Sequence, residues 1–218
     1  MLDLQNKSHA VMAQRHESKS SFDDFPTPPW ATRALIEHAI GPKSVEKMSC
    51  LEPACGRGYM SEPLSEYFDK VISTDVEDYG YGEVKDFLDP DFKISTDWII
   101  TNPPFKLAEE FALKALAQAS RGVALLTRTV FLESIGRYNR LFSKTPPSSV
   151  AQYVERVPMV KGRLDRKAST ATGYAWMIWD KSLMSNSSQM VWIPPCRKKL
   201  ELAEDYPDHN LGGLFPHH

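Results

Sequence analysis

A pair of adjacent prolines, Pro103 and Pro104, halts an apolar run and so constrains the architecture more than any other stretch of this chain. Asp97-Trp98-Ile99-Ile100-Thr101 reads as a short buried parallel strand, since its bulky residues run on without polar alternation. Proline has no N–H to give to a sheet ladder, so pairing cannot continue through it. Asn102, Pro103, Pro104 and Phe105 therefore open a loop at a strand's carboxyl end. In an open α/β sheet that is the edge where ligands bind.

The residue types in this loop suit one chemistry. The Asn102 side-chain oxygen and the Pro103 carbonyl, held in restricted backbone, can both accept hydrogen bonds from a single planar NH2 group. The lone pair of such an amine is delocalised. Two acceptors that draw its hydrogens out of plane localise the pair toward an electrophile, while Phe105 can stack on the flat group being held. The same residues also fit a plain proline-rich turn, with asparagine as turn former and phenylalanine as core filler.

A second pattern lies upstream. Met48-Ser49-Cys50-Leu51-Glu52-Pro53 reads as a strand feeding the turn Ala54-Cys55-Gly56-Arg57-Gly58, with helical character from Tyr59 to Asp69. Gly56 and Gly58 lack the Cβ that would keep backbone from a ligand. Val71 to Asp75 follows as a second strand ending in an acid. A carboxylate about 20 residues beyond a glycine turn is placed to accept both hydroxyls of a ribose; its bland alternative is a solvated loop acid. In Asp86-Phe87-Leu88-Asp89 the carboxylate can take an adenine's exocyclic amine while the ring stacks, or the four can form an ordinary turn.

Ahead of these, Thr27-Pro28-Pro29 reads as a helix start with Thr27 as cap and Pro28 at the first position, and Gly41 as the stop. Downstream, Leu107 to Ala119 reads as a helix with Leu107, Phe111, Leu113, Ala115 and Leu116 apolar. Gly122 to Thr127 follows as a buried strand and Val130 to Phe142 as a helix. Val150 to Val157 and Gly173 to Trp179 form a late strand pair, and Gln189 to Ile193 an extra edge strand. The expected fold class is α/β, a three-layer Rossmann-like sheet, mostly parallel, with an antiparallel strand near the carboxyl-terminal end. Residues 1–22, polar throughout, are expected as a mobile arm, 23–194 as a single domain and 195–218 as a surface tail.

Charge restricts the partners. At 218 residues with a formal net charge of −2 and a pI near 6.3, the chain has no global basic field. Nucleic-acid contact then requires a local patch. The loop from Met159 to Thr170 carries Lys161, Arg163, Arg166 and Lys167 against the single acid Asp165, and is the candidate phosphate-binding element; an exposed hairpin tip is its plain alternative. Cys50, Cys55 and Cys196 show no paired framework and no metal-ligand spacing, so no metal and a reducing, cytoplasmic setting are expected. No apolar run reaches the ~18 residues of a membrane span.

In order, Phe25-Pro26-Thr27-Pro28-Pro29, Leu51-Glu52-Pro53-Ala54-Cys55-Gly56-Arg57-Gly58, Asp75, Asp86-Phe87 and Asn102-Pro103-Pro104-Phe105 resemble the S-adenosylmethionine-dependent N6-adenine methyltransferases, most closely their small phage-type members. The resemblance covers roughly residues 24–180. It implies a methyltransferase domain in which Asn102, Pro103, Pro104 and Phe105 hold the target amine and base. It further implies that Glu52, Ala54, Gly56 and Gly58 line the methionine end of S-adenosylmethionine, Asp75 its ribose, and Asp86 with Phe87 its adenine. Phe25, Thr27 and Pro28 match the family's cofactor-side motif. Arg57 departs from the pattern, standing where many members carry a small hydroxyl residue.

The function so implied is methyl transfer to the N6 amine of adenine in DNA. The chain holds no large insertion for target recognition, so a short or relaxed recognition sequence, or a partner or oligomer that supplies specificity, is expected. The four-residue loop also serves RNA adenine and glutamine-amide methylation, both planar NH2 substrates. A non-catalytic cofactor-binding accessory protein is the alternative from another class.

Overall fold

The computed structural model describes residues 23–206 apart from Met184. Its order is α1 (Pro29–Leu35), β1 (Ser49–Glu52), α2 (Ser61–Ser65), β2 (Lys70–Asp75), β3 (Glu83–Val84), β4 (Trp98–Thr101), α3 (Ala108–Gln118), β5 (Gly122–Arg128), α4 (Ile135–Arg137), β6 (Ser149–Tyr153), β7 (Tyr174–Asp180), β8 (Gln189–Ile193) and α5 (Arg197–Leu200). One eight-stranded sheet runs β3-β2-β1-β4-β5-β7-β6-β8. β7 lies antiparallel to both β5 and β6, and every other pairing is parallel. The sheet is thus the mixed, mostly parallel one expected, with its antiparallel part near the carboxyl-terminal end.

Burial explains the strand sequences. β4 and β7 are buried at every position, and β5 at all but Arg128, because helices or long connections cover both faces. One core, with Trp30, Leu35, Leu64, Trp98 and Trp176, lies under α1 and α2. The other, with Phe87, Ile99, Phe111, Leu125 and Trp179, lies under α3 and the segment before β4.

The chain winds from β1 outward through β2 to β3, then returns to β4 on the other side of β1. Between β1 and β4 the winding reverses. That switch point leaves a crevice at the strands' carboxyl ends, flanked by the loops after Glu52 and Thr101.

Several local expectations need correction. Thr27 does not cap α1: the N-cap is Pro28, without a side-chain hydrogen bond, and the buried Thr27 hydroxyl turns inward to Met159 Sδ at 3.9 Å. Proline at both following positions presets the helical turn without that cap. The helix expected from Tyr59 to Asp69 shrinks to α2. Val130 to Phe142 is a 3-10 turn (Thr129–Leu132), the single turn of α4, and a wider π-type turn (Tyr138–Phe142). Ser134 breaks the helix there, its backbone extended and its side-chain Oγ accepting a hydrogen bond from Arg137 N–H. On α3, Leu107 and Leu113 face solvent, and Phe111 with three alanines makes the buried stripe.

Residues 195–206 are not a loose tail. The buried Arg33 guanidinium donates to both Asp205 oxygens at 2.8 and 2.9 Å, to Leu200 O at 2.9 Å, and to Glu66. Residues 1–22 and 207–218 of the expected arm and tail lie outside the described residues. Removing one member of a buried ion pair strands the other's charge. Asp205→Ala is therefore expected to lower stability by ~3 kcal/mol in urea denaturation, whereas a tail without structural function would leave the midpoint unchanged.

Candidate active site

The crevice at the switch point is a cavity of about 440 Å³. Glu52, Ala54 and Gly56 line it from the β1 loop, Asp75 from the end of β2, Asp86 and Phe87 from the segment before β4, and Asn102 and Pro104 from the loop after β4. Phe25 and Thr27 line it from above. Those residues, scattered over the sequence, are brought together.

Glu52 ends β1, is 1% exposed, and accepts a hydrogen bond from Ala54 N–H at 3.2 Å. Its other oxygen, Oε2, is buried without a partner among the described residues. Burial pushes the carboxyl up to about 8; the nearby Asp75 adds to the rise, while the Thr101 hydroxyl and the Ala54 N–H partly offset it. Asp75 is fixed on both sides, accepting Gly56 N–H at 2.8 Å and Glu77 N–H at 3.0 Å. Burial also pushes the Cys55 thiol up to about 12, so this lining cysteine is no thiolate nucleophile.

The glycines divide in role. Gly56 has φ +51° and open space where a Cβ would stand, so the left-handed backbone beside the cavity is what requires glycine. Gly58 does not line the cavity. It has φ +83°, and a Cβ there would fall 2.4 Å from the Tyr81 ring, so close packing adds to the backbone requirement.

Asn102 is held by its nitrogen. Nδ2 donates to Phe25 O at 2.8 Å and lies 3.7 Å from Met159 Sδ, while Oδ1 is buried and has no partner among the described residues. The carbonyl at Phe25 selects the amide orientation, because the reverse would set two oxygens face to face. Pro103 is buried beneath the loop. Phe105 stands outside the cavity lining, with its ring 5.8 Å from Phe25 and 6.2 Å from Tyr174, and the Arg128 guanidinium 4.2 Å above its centroid.

The segment Asp23–Thr27 ties these loops together, and sequence reasoning missed most of it. Asp23 accepts Phe105 N–H at 3.0 Å; Asp24 pairs with Arg57 at 2.9 Å, and Asp24 O accepts Gly162 N–H at 2.8 Å. Arg57, the departure from the family pattern, thus pins the segment over the glycine turn and also lies 5.1 Å from the Tyr79 ring centroid. Adjacent acids facing one arginine between glycines were the available signal.

Phe87 is 1% exposed, packed on Phe111 at 5.0 Å and Phe92 at 5.9 Å, so it forms cavity floor rather than a free stacking ring. Asp86 is exposed at the rim and accepts Leu88 N–H. Pro28 serves α1. Lys161, Arg163, Arg166 and Lys167 lie off the cavity in the loop that carries Met159; Arg163 pairs with Asp165 and Arg166 with Glu201. No helix of the described residues is long and apolar enough to cross a membrane.

This architecture is the class I S-adenosylmethionine-dependent methyltransferase fold. A protein of Pyrococcus horikoshii proposed as an RNA methyltransferase superposes with a TM-score of 0.56 at 16% identity, over 76% of this chain and 90% of its own. A proposed class I S-adenosylmethionine-dependent methyltransferase of Listeria monocytogenes gives 0.57 at 13%, over 82% and 68%. The methyltransferase subunit of a type I restriction-modification system from Streptococcus thermophilus gives 0.60 at 10%, over 78% of this chain and 48% of that longer one. At these identities the likeness is one of fold. No family model and no curated protein matches the sequence.

The cofactor this fold implies is S-adenosylmethionine, and the cavity's donors and acceptors fit it. The Glu52 carboxylate would hold an ammonium group, Asp75 at the end of β2 a ribose, and the apolar floor with the Asp86 rim an adenine. The Glu52 proton supplies a test. Its folded value of about 8 stands above the ordinary 4.5, so the folded state holds the proton more tightly. Stability from this group is full at low pH and falls as pH rises through that window, by at most ~1.4 kcal/mol per pH unit. Thermal midpoints should show this decline, Glu52→Gln should flatten it, and saturating S-adenosylmethionine should shrink it in the wild type.

Proposed function

We propose that the chain transfers a methyl group from S-adenosylmethionine to the N6 amine of adenine in DNA. One observation carries the reading: Asn102, which lines the same cavity as Glu52 and Asp75, keeps a buried oxygen without a partner among the described residues while its nitrogen is engaged by Phe25. A carboxamide so oriented can accept from an NH2 group but has no free donor to offer it.

Bound S-adenosylmethionine supplies a methyl group activated by a sulfonium. The protein's part is placement. The Asn102 oxygen and the Pro103 carbonyl hold the two amine hydrogens, localise the nitrogen lone pair and fix its line of attack. Proton loss follows transfer, so no base is needed beforehand, and Glu52 is left to bind. Taking an adenine out of a duplex costs a few kcal/mol, which stacking and phosphate contacts must offset. The loop bearing Lys161, Arg163, Arg166 and Lys167 is the proposed phosphate contact, supported by Met159 beside Asn102 and Gly162 bonded to Asp24. The restriction-modification neighbour favours DNA; the neighbour proposed as an RNA methyltransferase favours RNA adenine as the second reading. A short or partner-supplied specificity remains part of the proposal.

Labelled S-adenosylmethionine, incubated in parallel with unmethylated duplex DNA, single-stranded DNA and RNA and followed by nucleoside mass spectrometry, separates the readings. N6-methyladenine in DNA is expected. Label in RNA alone moves the assignment to the second reading, and thermal stabilisation by the cofactor with no labelled nucleoside rejects both. Asn102→Ala should lower the transfer rate at least ~100-fold, the scale of losing one preorganised polar contact to the reacting group. Its affinity for S-adenosylmethionine, measured by calorimetry, should stay within about threefold of wild type.

A further inference from the structure

Arg128 ends β5 directly opposite Tyr174 of β7, at the same sheet edge as Asn102. Its guanidinium lies 4.2 Å from the centroid of Phe105 and donates a hydrogen bond to the Tyr174 phenol, a contact that displacement would exchange along with the ring. Two arginines further along the chain are engaged within the protein. Arg137 donates to Phe131 O and Arg140 to Glu109, whereas Arg128 is solvent-exposed and forms no ion pair among the described residues. A cation without an ion-pair partner among the described residues therefore covers the aromatic face on which, in the proposed reading, a planar substrate stacks.

Resting on the adenine-methylation reading, we propose that Arg128 is a place-holder for the target base: adenine takes its position on Phe105, and the displaced guanidinium binds a DNA phosphate flanking the target nucleotide. Two arguments favour exchange over a sandwich of ring, base and guanidinium. The amine nitrogen gains positive charge as the methyl arrives, and a cation stacked on the same base opposes that charge. A phosphate neutralises the guanidinium and accepts its forked N–H groups in pairs. The cation–π contact meanwhile keeps Phe105 covered while no base is present.

Exchange predicts effects of opposite sign on two probes. Adenosine carries no phosphate and must compete with the guanidinium for the ring, so Arg128→Ala should bind it about threefold more tightly, the size of one exposed cation–π contact. A duplex oligonucleotide that the wild type methylates loses a phosphate contact. Its affinity for Arg128→Ala should fall about tenfold, and the slope of log K against log salt should become shallower by about 0.9. Arg128→Lys, which keeps the charge, should restore that slope. Unchanged adenosine binding together with an unchanged slope overturns the proposal and leaves Arg128 a structural contact. Weaker binding of both probes, with the slope unaltered, also overturns it and favours the sandwich. Failure of the wild-type protein to methylate any adenine-containing nucleic acid is a separate result, which defeats the functional reading itself.

Discussion

A hydrogen bond from Asn102 Nδ2 to the Phe25 carbonyl is the interaction on which the rest of the site depends. An asparagine amide has two nearly isosteric ends, and only one of them can accept an amine's protons. Donation to Phe25 decides between them. The proline ring behind Asn102 restricts the backbone, and the flat, fully buried β4 ahead of it anchors the loop's start. Aim and position are thus set by different parts of the chain.

The sheet contributes a second constraint. Because the winding reverses between β1 and β4, two neighbouring strands end at the same edge with their following loops turned apart. Glu52 closes one and Asn102 follows the other. Each carries a buried oxygen without a hydrogen-bond partner among the described residues, although the Thr101 hydroxyl stands beside the Glu52 carboxylate. Buried polar atoms are ordinarily paired, and these two belong to residues that line one crevice.

Much of this could be read from the chain in advance, and the parts that could not share a cause. β1, β2, β4, β5 and β7 announced themselves because uninterrupted apolar runs fit strands covered on both faces. The cavity residues Glu52, Asp75 and Asn102 were legible because each sits directly where such a run stops. Phe87 lines the cavity as expected, but its packing on Phe111 and Phe92 was not legible, because a sequence does not say which neighbours an aromatic ring meets. Helical expectations over Tyr59–Asp69 and Val130–Phe142 failed where short-range capping and turns overrode propensity. Arg33 with Asp205 escaped notice since 172 positions separate them and burial alone makes that pair matter. Asp23 and Asp24 carry no pattern of their own in the sequence, and matter because Phe105 N–H and Arg57 lie against them.

The stretch from Asp23 to Thr27 touches the glycine turn through Arg57, the loop after β4 through Phe105 and Asn102, and the basic loop through Gly162. All five of its residues line the cavity. One short thread of backbone thus ties the glycine turn, the carboxamide and the basic loop to one another, so that none of the three is positioned independently of the others.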